Sequence, residues 1–596
     1  MSTVAAPSAI PTGLWRFFPA FDSLRRYAVG DAQRDAVAGL TVAAVAVPQA
    51  MAYAMVAGVP AEYGLYTAIV MTAVGAIFDS SKQLINGPTN AISIAVLSAV
   101  AVVDGVDQKV QAAILLAFMV GSIQLAITLC RLGDMTRYIS HSVIVGFTLG
   151  AGSLLVLDQL KNLLGMRAMG DAHDHFLYRF WLSLVDGGGV HAATAAIGIG
   201  TIVLVLALRW FKQRIAWPLL PDFLIAVAAM AVLVARLGLD QHGVKVIGEI
   251  PAKLPRLALP TLDANLMRTF SNSALAIAVL GLLEAISMAK AIAAQTRQKL
   301  DMNQQCLSEG LANFTGSFFQ CIPGSGSLTR SAINQQAGAS TQWSGIVSAL
   351  AVAVIMIQFA PYARYIPRAA LAGILMVTSW KMVDWRALVY HVRATRFDAA
   401  IVAATAVAAV AISVEFCVLI GVFMSFLLAV RRAGRMLLTE FVVSADGGIH
   451  ERLPDDEAAR RILIFGLEGE MFFGSTAALE RHFADIEERV GDNQRVVVLR
   501  MKRVRNPDAV GMTLLGGFLE RMRARGIRVL LCGVRAPIFE SMQKTGLAKQ
   551  LDEHEIFLEQ PVRETSTLLA VRYAYELTAT PWPTQGVTEP GFYYQI

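Results

Sequence analysis

The chain is dominated by apolar runs that follow one another from about residue 34 to residue 432, with short polar breaks between them. A run of about 20 apolar residues is long enough to cross the hydrocarbon core of a bilayer as a helix. In lipid every backbone polar group needs a partner within the protein, and a helix supplies those partners within its own segment. The pattern therefore predicts an α-helical polytopic membrane domain.

About fourteen segments can be placed in this region, and some of them are too short to cross a bilayer alone. The clear spans are 36–56, 110–130, 139–157, 192–210, 217–236, 272–293, 342–359, 398–412 and 414–430. The more interrupted ones are 62–78, 88–103, 304–319, 328–338 and 366–382.

The composition agrees with a membrane protein, because 55% of the residues are hydrophobic and only 16% are charged. A net charge of +6 is also found in nucleic-acid-binding proteins. In membrane proteins, however, Lys and Arg gather in the cytoplasmic loops, and that explanation suffices here. We predict no nucleic-acid partner.

Basic residues also predict on which side of the membrane the two termini lie. Four arginines precede the first span, and they are Arg16, Arg25, Arg26 and Arg34. The rule that positive loops stay inside places this segment, residues 1–33, in the cytoplasm. An even number of spans returns the chain to the same side. We therefore predict a multi-pass protein of a bacterial inner membrane, with residues 34–435 in the bilayer and both termini in the cytoplasm.

The periodicity changes after Arg435. Residues 461–467, 495–501 and 529–533 read as short strands. Helical patterns separate and follow them, at 475–490, 510–524, 535–546 and 565–577. This alternation predicts a small cytoplasmic α/β domain over residues 436–580. The proline-containing end, residues 581–596, is predicted to be irregular.

Two of the apolar segments are broken by Gly and Pro, at 86–91 and at 322–331. They are third in each half of a division into seven plus seven segments. Paired breaks at matching positions are typical of inverted-repeat transporters that bind their substrate near the midplane. A helix that starts at a break presents unpaired N–H groups and a partial positive charge, so two facing starts can bind an anion. The alternative is that both are ordinary kinks.

Two charged residues stand out inside the apolar segments. Arg330 follows the second break between Ser327 and Ser331, with Thr329 beside it, and predicts an attraction for an anion. The alternative is a side chain that reaches the membrane surface. Glu284 lies in a long apolar run. Burial there favours its neutral form, so it could carry a proton, or it could be a structural partner of Arg330.

The first span carries Gln49 and Tyr53 four residues apart, hence on one helix face, next to Pro48. They could line a site, although polar side chains also simply join membrane helices. We predict no metal site and no cofactor. The chain has no phosphate-binding loop of the nucleotide-hydrolase type and no Gly-x-Ser-x-Gly motif, so it is not predicted to be an enzyme.

These motifs together resemble the sulfate permease family, known as SulP. In the first half the resemblance rests on Pro48–Ala54, Ala57–Pro60, Gly64–Tyr66, Ser80–Lys82 and Gly87–Pro88. In the second half it rests on Gly310–Asn313, Gly316–Phe319, Pro323, Ser327–Asn334 and Gly338. The C-terminal domain resembles the STAS domain, a module shared by sulfate transporters and anti-sigma-factor antagonists.

The resemblance implies fourteen segments in two inverted repeats, divided into a core and a gate. It also implies an elevator-type movement and a homodimer. The anion site would be formed between the third and tenth segments, by Thr89, Asn90, Ala91, Ser327, Thr329 and Arg330. Gln49 and Tyr53 would line it from the first segment, and Glu284 would be the coupling acid.

Three positions depart from the family pattern. Asp79 stands where the family has a small residue, with an effect that the sequence does not reveal. Met288 follows Glu284 by one turn, where sodium-coupled relatives have a Thr, which makes sodium coupling less expected than proton coupling. In the STAS domain no phosphorylatable Ser follows Asp508, so a phosphorylation switch is not expected there.

The prediction is a secondary active transporter that takes up sulfate with protons. Bicarbonate and C4-dicarboxylates stay open, because helix ends and one Arg recognise charge better than shape. An anion-sensing regulator that acts through the STAS domain is an alternative from a different class of protein. A channel is less expected, because a site between two broken helices suits alternating access.

Overall fold

The structure is a computed structural model, and it describes residues 17–25, 27–131, 140–167, 169, 176–215, 220–412, 414–444, 447–456, 461–560 and 565–583. The predictions made for Arg16, Arg26 and residues 584–596 lie outside this part. The chain divides into two compact units, and the second unit begins at Phe426.

The first unit is helical. Its helices are α1 (Pro19–Leu24), α2 (Val29–Val56), α3 (Ala61–Phe78), α4 (Asn90–Val100), α5 (Val106–Leu129), α6 (His141–Leu164), α7 (Phe176–Val185), α8 (Ala192–Arg214), α9 (Asp222–Leu237), α10 (Ala264–Thr296), α11 (Met302–Ser317), α12 (Leu328–Gln336), α13 (Trp343–Ala363), α14 (Arg368–Met382), α15 (Trp385–Ala394), α16 (Arg396–Ala411) and α17 (Val414–Ala433), the last of which continues into the second unit.

The predicted polytopic fold is confirmed. Apart from the short helices α1, α7 and α15, the fourteen helices of the described residues coincide with the fourteen predicted segments. Eight of them are, by length and composition, apolar enough to cross a membrane individually. The others are shorter, and α4 and α12 are short because each starts in the middle of an interrupted segment.

The helices of the first unit form two packed groups. The first group contains α2–α5 and α10–α13, and the second contains α6, α8, α9, α14 and α16. Within each group, small residues let helix backbones approach closely. A Cβ atom at Gly121 of α5 would lie 2.3 Å from the Phe314 nitrogen of α11, and one at Gly146 of α6 would lie 2.6 Å from the Val402 oxygen of α16. This division corresponds to the core and gate of the prediction.

Both broken segments have the same local structure. The chain before α4 forms the strand β1 (Asn86–Gly87), and the chain before α12 forms β2 (Ser325–Gly326). The two strands pair antiparallel, with Asn86 opposite Gly326 and Gly87 opposite Ser325. Extended chain in the middle of a membrane domain needs a partner for its backbone groups, and each strand provides it for the other.

The second unit contains a six-stranded sheet in the order β4-β3-β5-β6-β7-β8. Its strands are β3 (Leu437–Val443), β4 (Ile449–Glu451), β5 (Ile462–Glu470), β6 (Val496–Arg505), β7 (Arg528–Val534) and β8 (Ile556–Leu558). Its helices are α18 (Thr476–Arg489), α19 (Ala509–Ala524), α20 (Ala536–Lys544) and α21 (Thr565–Leu577). Strands β5 to β8 are parallel, and β3 and β4 are antiparallel.

The predicted α/β fold of this unit is confirmed. Its sheet has six strands, three more than the sequence analysis predicted. One apolar core includes Phe465, Phe483 and Phe518 beneath α18 and α19, and another joins Ile464 and Val498 to α21. The sequence analysis found β5, β6 and β7, whose buried runs are long. It missed β4 and β8, which are only three residues long, and β3, which interrupts its apolar residues with Thr439 and Glu440.

Candidate functional site

The two breaks meet inside the first helix group. Besides the β1–β2 pairing, the N–H of Ser327 donates to the Ile85 carbonyl at 2.9 Å. The N–H of Ile85 in turn donates to the Ser331 hydroxyl at 2.8 Å. Helices α4 and α12 therefore begin next to each other. Their free N–H groups and partial positive charges act on the same region, which is the arrangement that binds an anion.

Side chains cap both helices. Thr89 is the N-cap of α4 and accepts from the N–H of Ile92, and Ser327 is the N-cap of α12 and accepts from the N–H of Arg330. Such caps satisfy one of the free N–H groups at each start and leave the others available. Both cap residues are buried, at 3% and 5% exposure.

Glu284 of α10 lies at these helix starts. The Thr89 hydroxyl donates to Glu284 Oε2 at 3.0 Å. The Ser325 hydroxyl of β2 donates to the same oxygen. The acid from the eighth segment is therefore hydrogen-bonded to both broken segments at once. Ser325 was not among the predicted site residues, although it lies within the second break at 322–331.

Arg330 crosses from the second break to the first. Its guanidinium Nη2 donates to the Pro88 carbonyl at 2.8 Å. It packs against Gly87, where a Cβ atom would lie 2.8 Å from Nη1. Arg330 is 1% exposed, and its Nε has no hydrogen-bond partner among the described residues. A buried guanidinium needs compensating charge, and of the described groups that act on it only the Glu284 carboxyl can supply a negative one.

Tyr53 approaches the same place from α2, and Gln49 lies one turn before it on the same face of that helix. Gln49 is fully buried, and neither its amide oxygen nor its amide nitrogen has a hydrogen-bond partner among the described residues. A buried polar group left unsatisfied costs about 1–3 kcal/mol, so this amide is suited to a polar ligand. Tyr53 interacts with Arg330 and Glu284, and its hydroxyl lies near Thr378 of α14 in the second helix group.

The remaining predicted residues lie at the two helix starts. Asn90 and Ala91 are the first residues of α4 and are buried. Thr329 is half-buried in the first turn of α12 and, in the described part of the chain, makes no side-chain hydrogen bond to the other predicted residues. Its side chain makes no hydrogen bond to Thr89, Ser325 or Glu284 among the described residues.

A second polar cluster escaped the sequence analysis. The buried Asp79 accepts hydrogen bonds from Asn86 at 3.2 Å, from Gln305 at 2.6 Å and from Ser308 at 2.7 Å. It therefore fastens α11 to the strand β1. This network explains the acid at a position where a small residue was expected. Gln305 and Ser308 are too distant along the chain for any spacing to reveal it.

The comparison with known proteins decides the family. Residues 33–405 match the model of the Sulfate permease family, and residues 454–561 match the STAS domain. The chain belongs to the sulfate permease family. This family consists of transporters and not of enzymes, so the protein is a multi-pass membrane transporter of anions with a C-terminal STAS domain.

Similar proteins cover nearly all of the chain. YvdB, a candidate sulfate transporter of Bacillus subtilis (strain 168), is 30% identical over 533 residues, which are 88% of this chain and 96% of YvdB. Sulfate transporter 4.1 of Arabidopsis thaliana, a chloroplastic protein, is 27% identical over 560 residues, which are 91% of this chain and 81% of the relative. The chain therefore matches both relatives through the membrane domain and the STAS domain.

Solved structures agree with the fold. Murine Solute Carrier 26 family member A9, an anion transporter in the inward-facing state, has a TM-score of 0.84 at 18% identity, with 96% of each chain covered. The transmembrane domain of the cyanobacterial bicarbonate transporter BicA has a TM-score of 0.56 at 25% identity and covers 67% of this chain and 98% of its own. The first of these likenesses concerns the fold alone.

Proposed function

We propose that this sulfate permease takes up sulfate together with protons. The observation that carries the proposal is the position of Glu284, whose carboxyl accepts from Thr89 and Ser325 at the meeting point of the two helix starts. An ionised Glu284 occupies the hydroxyl donors and neutralises the positive charge that an anion would use. A protonated Glu284 leaves the two hydroxyl donors and the positive charge available to the anion. Anion and proton therefore bind better together than either does alone.

Sulfate is the proposed substrate because relatives of both bacterial and plant origin carry the name of sulfate transporters. The site offers Arg330, two helix starts and the unpaired Gln49 amide, which suit a small anion with several acceptor oxygens. Bicarbonate is the runner-up substrate, since BicA shares the membrane fold. Proton coupling is preferred over sodium coupling because Met288 is a poor sodium ligand.

The proposed movement is of the elevator type. The two breaks, Glu284 and Arg330 belong to the first helix group, whereas the Thr378 that lies near Tyr53 belongs to the second. A site carried by one packed group and bordered by the other can change sides when the groups slide past each other. A homodimer, proposed from the family resemblance, would hold the second group fixed.

Purified protein in liposomes tests the function. We expect sulfate uptake that is driven by an inward proton gradient and is reduced by an ionophore that collapses the gradient. Competition with bicarbonate, fumarate and chloride ranks the substrates. Anion binding without any flux would contradict transport and favour the regulator that acts through the STAS domain.

Replacement of Glu284 by Gln tests the coupling. Glu284→Gln resembles the protonated acid, so we expect sulfate binding to persist while the proton gradient loses its effect on uptake. The measurement is sulfate uptake at equal and unequal pH across the liposome membrane. Glu62→Gln, in the first turn of α3, is the matched control and should behave as the native protein. Gradient-driven uptake that persists in Glu284→Gln removes this residue from the coupling.

A further inference from the structure

Three basic side chains lie together at one end of the second helix group, and they are Arg209 and Lys212 of α8 and Lys381 of α14. Helix α9 begins at the same place with Asp222, because α8, α9 and α14 pack against one another. Arg209 and Lys212 both act electrostatically on Lys381. The three cations therefore come from two helices, and the packing of those helices holds them together.

The positive charge of this cluster is only partly neutralised. Asp222 accepts a hydrogen bond from Arg209 Nε at 2.7 Å, and it is the only acid that acts on Lys381 among the described residues. Three positive charges and one negative charge leave two positive charges in excess. Like charges held close together at a protein surface repel one another. A further anion at this place would remove that repulsion.

The Arg209 guanidinium is fixed in position and has a free donor. Its Nε is bonded to Asp222, and its Cζ lies 4.7 Å from the centre of the Phe223 ring. Its Nη1 is buried and has no hydrogen-bond partner among the described residues. A basic side chain that simply reaches the water at the membrane surface does not explain a buried donor without a partner. A guanidinium fixed in this way suits an anion with several oxygens, such as a phosphate.

The two lysines add donors to the same place. Lys212 is half-buried, and its Nζ donates to the Leu220 carbonyl at 3.0 Å. An ammonium group has three N–H donors, so this bond leaves two of them for another partner. Lys381 is exposed in the last turn of α14. The cluster therefore offers one guanidinium and two ammonium groups to an anion.

Exposed aromatic residues place the cluster at the membrane surface. Trp210 directly follows Arg209, and Trp380 directly precedes Lys381, and the two Trp side chains are 62% and 65% exposed. Trp is enriched where the hydrocarbon of a bilayer meets water. The orientation predicted above puts these ends of α8 and α14 on the cytoplasmic side, where anionic lipids make the membrane surface negative. The phosphate groups of lipids lie at this depth.

We propose that the ends of α8, α9 and α14 bind the phosphate of an anionic phospholipid. The phosphate oxygens accept from Arg209 Nη1 and from the ammonium groups of Lys212 and Lys381. An anionic head group is preferred over a zwitterionic one, because the cation of a zwitterionic lipid would meet the two excess positive charges. The acyl chains lie along the exposed apolar face of α8, which is formed by Ile199, Val203, Leu206 and Trp210.

The proposed lipid would act on one helix group. Helices α8, α9 and α14 all belong to the second group, whereas Glu284 and Arg330 belong to the first. A lipid bound at this end would hold the second group at the membrane surface while the first group moves. The lipid site depends neither on the anion that is transported nor on the ion that drives transport.

Native mass spectrometry of the purified full-length protein in detergent tests the site. Phosphatidylglycerol and phosphatidylcholine with the same acyl chains are added separately, and the fraction of lipid-bound protein gives the affinity. We expect tighter binding of phosphatidylglycerol. The double variant Lys212→Gln/Lys381→Gln should lower that affinity roughly 30-fold, because two basic contacts to the anion are lost. Equal affinities of the native protein for the two lipids would overturn the proposal.

The matched control is the double variant Arg236→Gln/Lys245→Gln. Arg236 lies in the last turn of α9, at the opposite end from Asp222, and Lys245 follows that helix. Both are exposed, so the control removes the same charge and should bind phosphatidylglycerol as the native protein does. An equal loss in the two double variants would reveal a general effect of charge and reject the site.

A single variant guards against a folding defect. Lys381→Gln, at an exposed position, should keep the native thermal unfolding temperature and still lower the affinity about fivefold. Unchanged affinity in this variant would remove Lys381 from the site and contradict the proposal.

Competition distinguishes a lipid from a soluble anion. At constant ionic strength, an excess of inorganic phosphate should not displace phosphatidylglycerol, because the acyl chains add to the affinity of the lipid. Displacement would make this a site for soluble phosphate and overturn the assignment to a lipid. None of these measurements requires sulfate transport, so the lipid site and the proposed function can fail independently of each other.

Discussion

At the scale of single residues, the site depends on polar groups that the membrane interior would exclude if they had no function. The buried Arg330 donates one hydrogen bond to the Pro88 carbonyl, and its Nε has no partner among the described residues. The buried Gln49 has no hydrogen-bond partner for its amide there either. Such groups are costly to bury, and a ligand that satisfies them recovers that cost on binding. The residues whose buried polar groups lack protein partners are therefore those expected to matter most for affinity.

Removal of the Arg330 guanidinium should weaken anion binding. A hydrogen bond to a charged group contributes about 1.5–3 kcal/mol, so Arg330→Ala should reduce sulfate affinity by roughly 10- to 100-fold. Isothermal titration calorimetry of the detergent-solubilised protein measures the change. Arg386→Ala, at an exposed position of α15, is the control and should bind as the native protein. Unchanged affinity in Arg330→Ala removes Arg330 from the site.

The cysteines should differ in reactivity. Burial raises the pKa of the Cys532 thiol to about 12, so at neutral pH it stays protonated and unreactive. Cys130 is exposed. We expect a maleimide at pH 7 to label Cys130 within minutes and to leave Cys532 unlabelled, as followed by mass spectrometry. Denatured protein is the control, in which both react, and early labelling of Cys532 in the native protein would contradict its burial.

At the scale of elements, the decisive unit is the pair of broken segments. Neither α4 nor α12 could begin in the middle of a membrane domain alone, because the strand before it would have unpaired backbone groups. The β1–β2 pairing removes this cost for both, and it also fixes the distance between the two helix starts. The proposed anion site is therefore a consequence of the pairing between the two breaks.

Gly87 has no room for a side chain in this arrangement. Its φ of +144° is unfavourable for other residues, and a Cβ atom would meet the Arg330 guanidinium at 2.8 Å. We expect Gly87→Ala to lower sulfate affinity at least tenfold by displacing Arg330. Gly338→Ala is the matched control, because Gly338 has a φ of +91° with no atom within 4 Å of an added Cβ. Equal affinity losses in the two variants would show that backbone strain alone is responsible.

At the scale of the whole molecule, the fourteen predicted apolar segments predict how the chain is oriented in the membrane. An even number of crossings puts both termini on one side, and the arginines of the N-terminal segment place that side in the cytoplasm. The STAS domain would then lie in the cytoplasm, where partner proteins could reach it. This orientation stays a prediction.

Reporter fusions test the orientation. Alkaline phosphatase fused after Leu257, between α9 and α10, should be active because the enzyme folds only outside the cytoplasm. The same reporter fused after Arg435 should be inactive, and green fluorescent protein at that position should fluoresce. An active phosphatase after Arg435 would show that one crossing has been miscounted.

The sequence by itself determined the number and order of the fourteen long apolar segments, because the length of an apolar run is a local property of the sequence. It also located both breaks, since Gly and Pro mark them within a few residues. The sequence analysis missed short strands such as β4 and β8, because three residues are too few to show the alternating pattern of a strand. The tertiary structure alone decided that Ser325 and Thr89 share one oxygen of Glu284, and that Asp79 of the first half accepts hydrogen bonds from Gln305 and Ser308 of the second. These contacts join segments from opposite halves of the chain, so the physical reason for them is packing between helices, which no spacing along the sequence records.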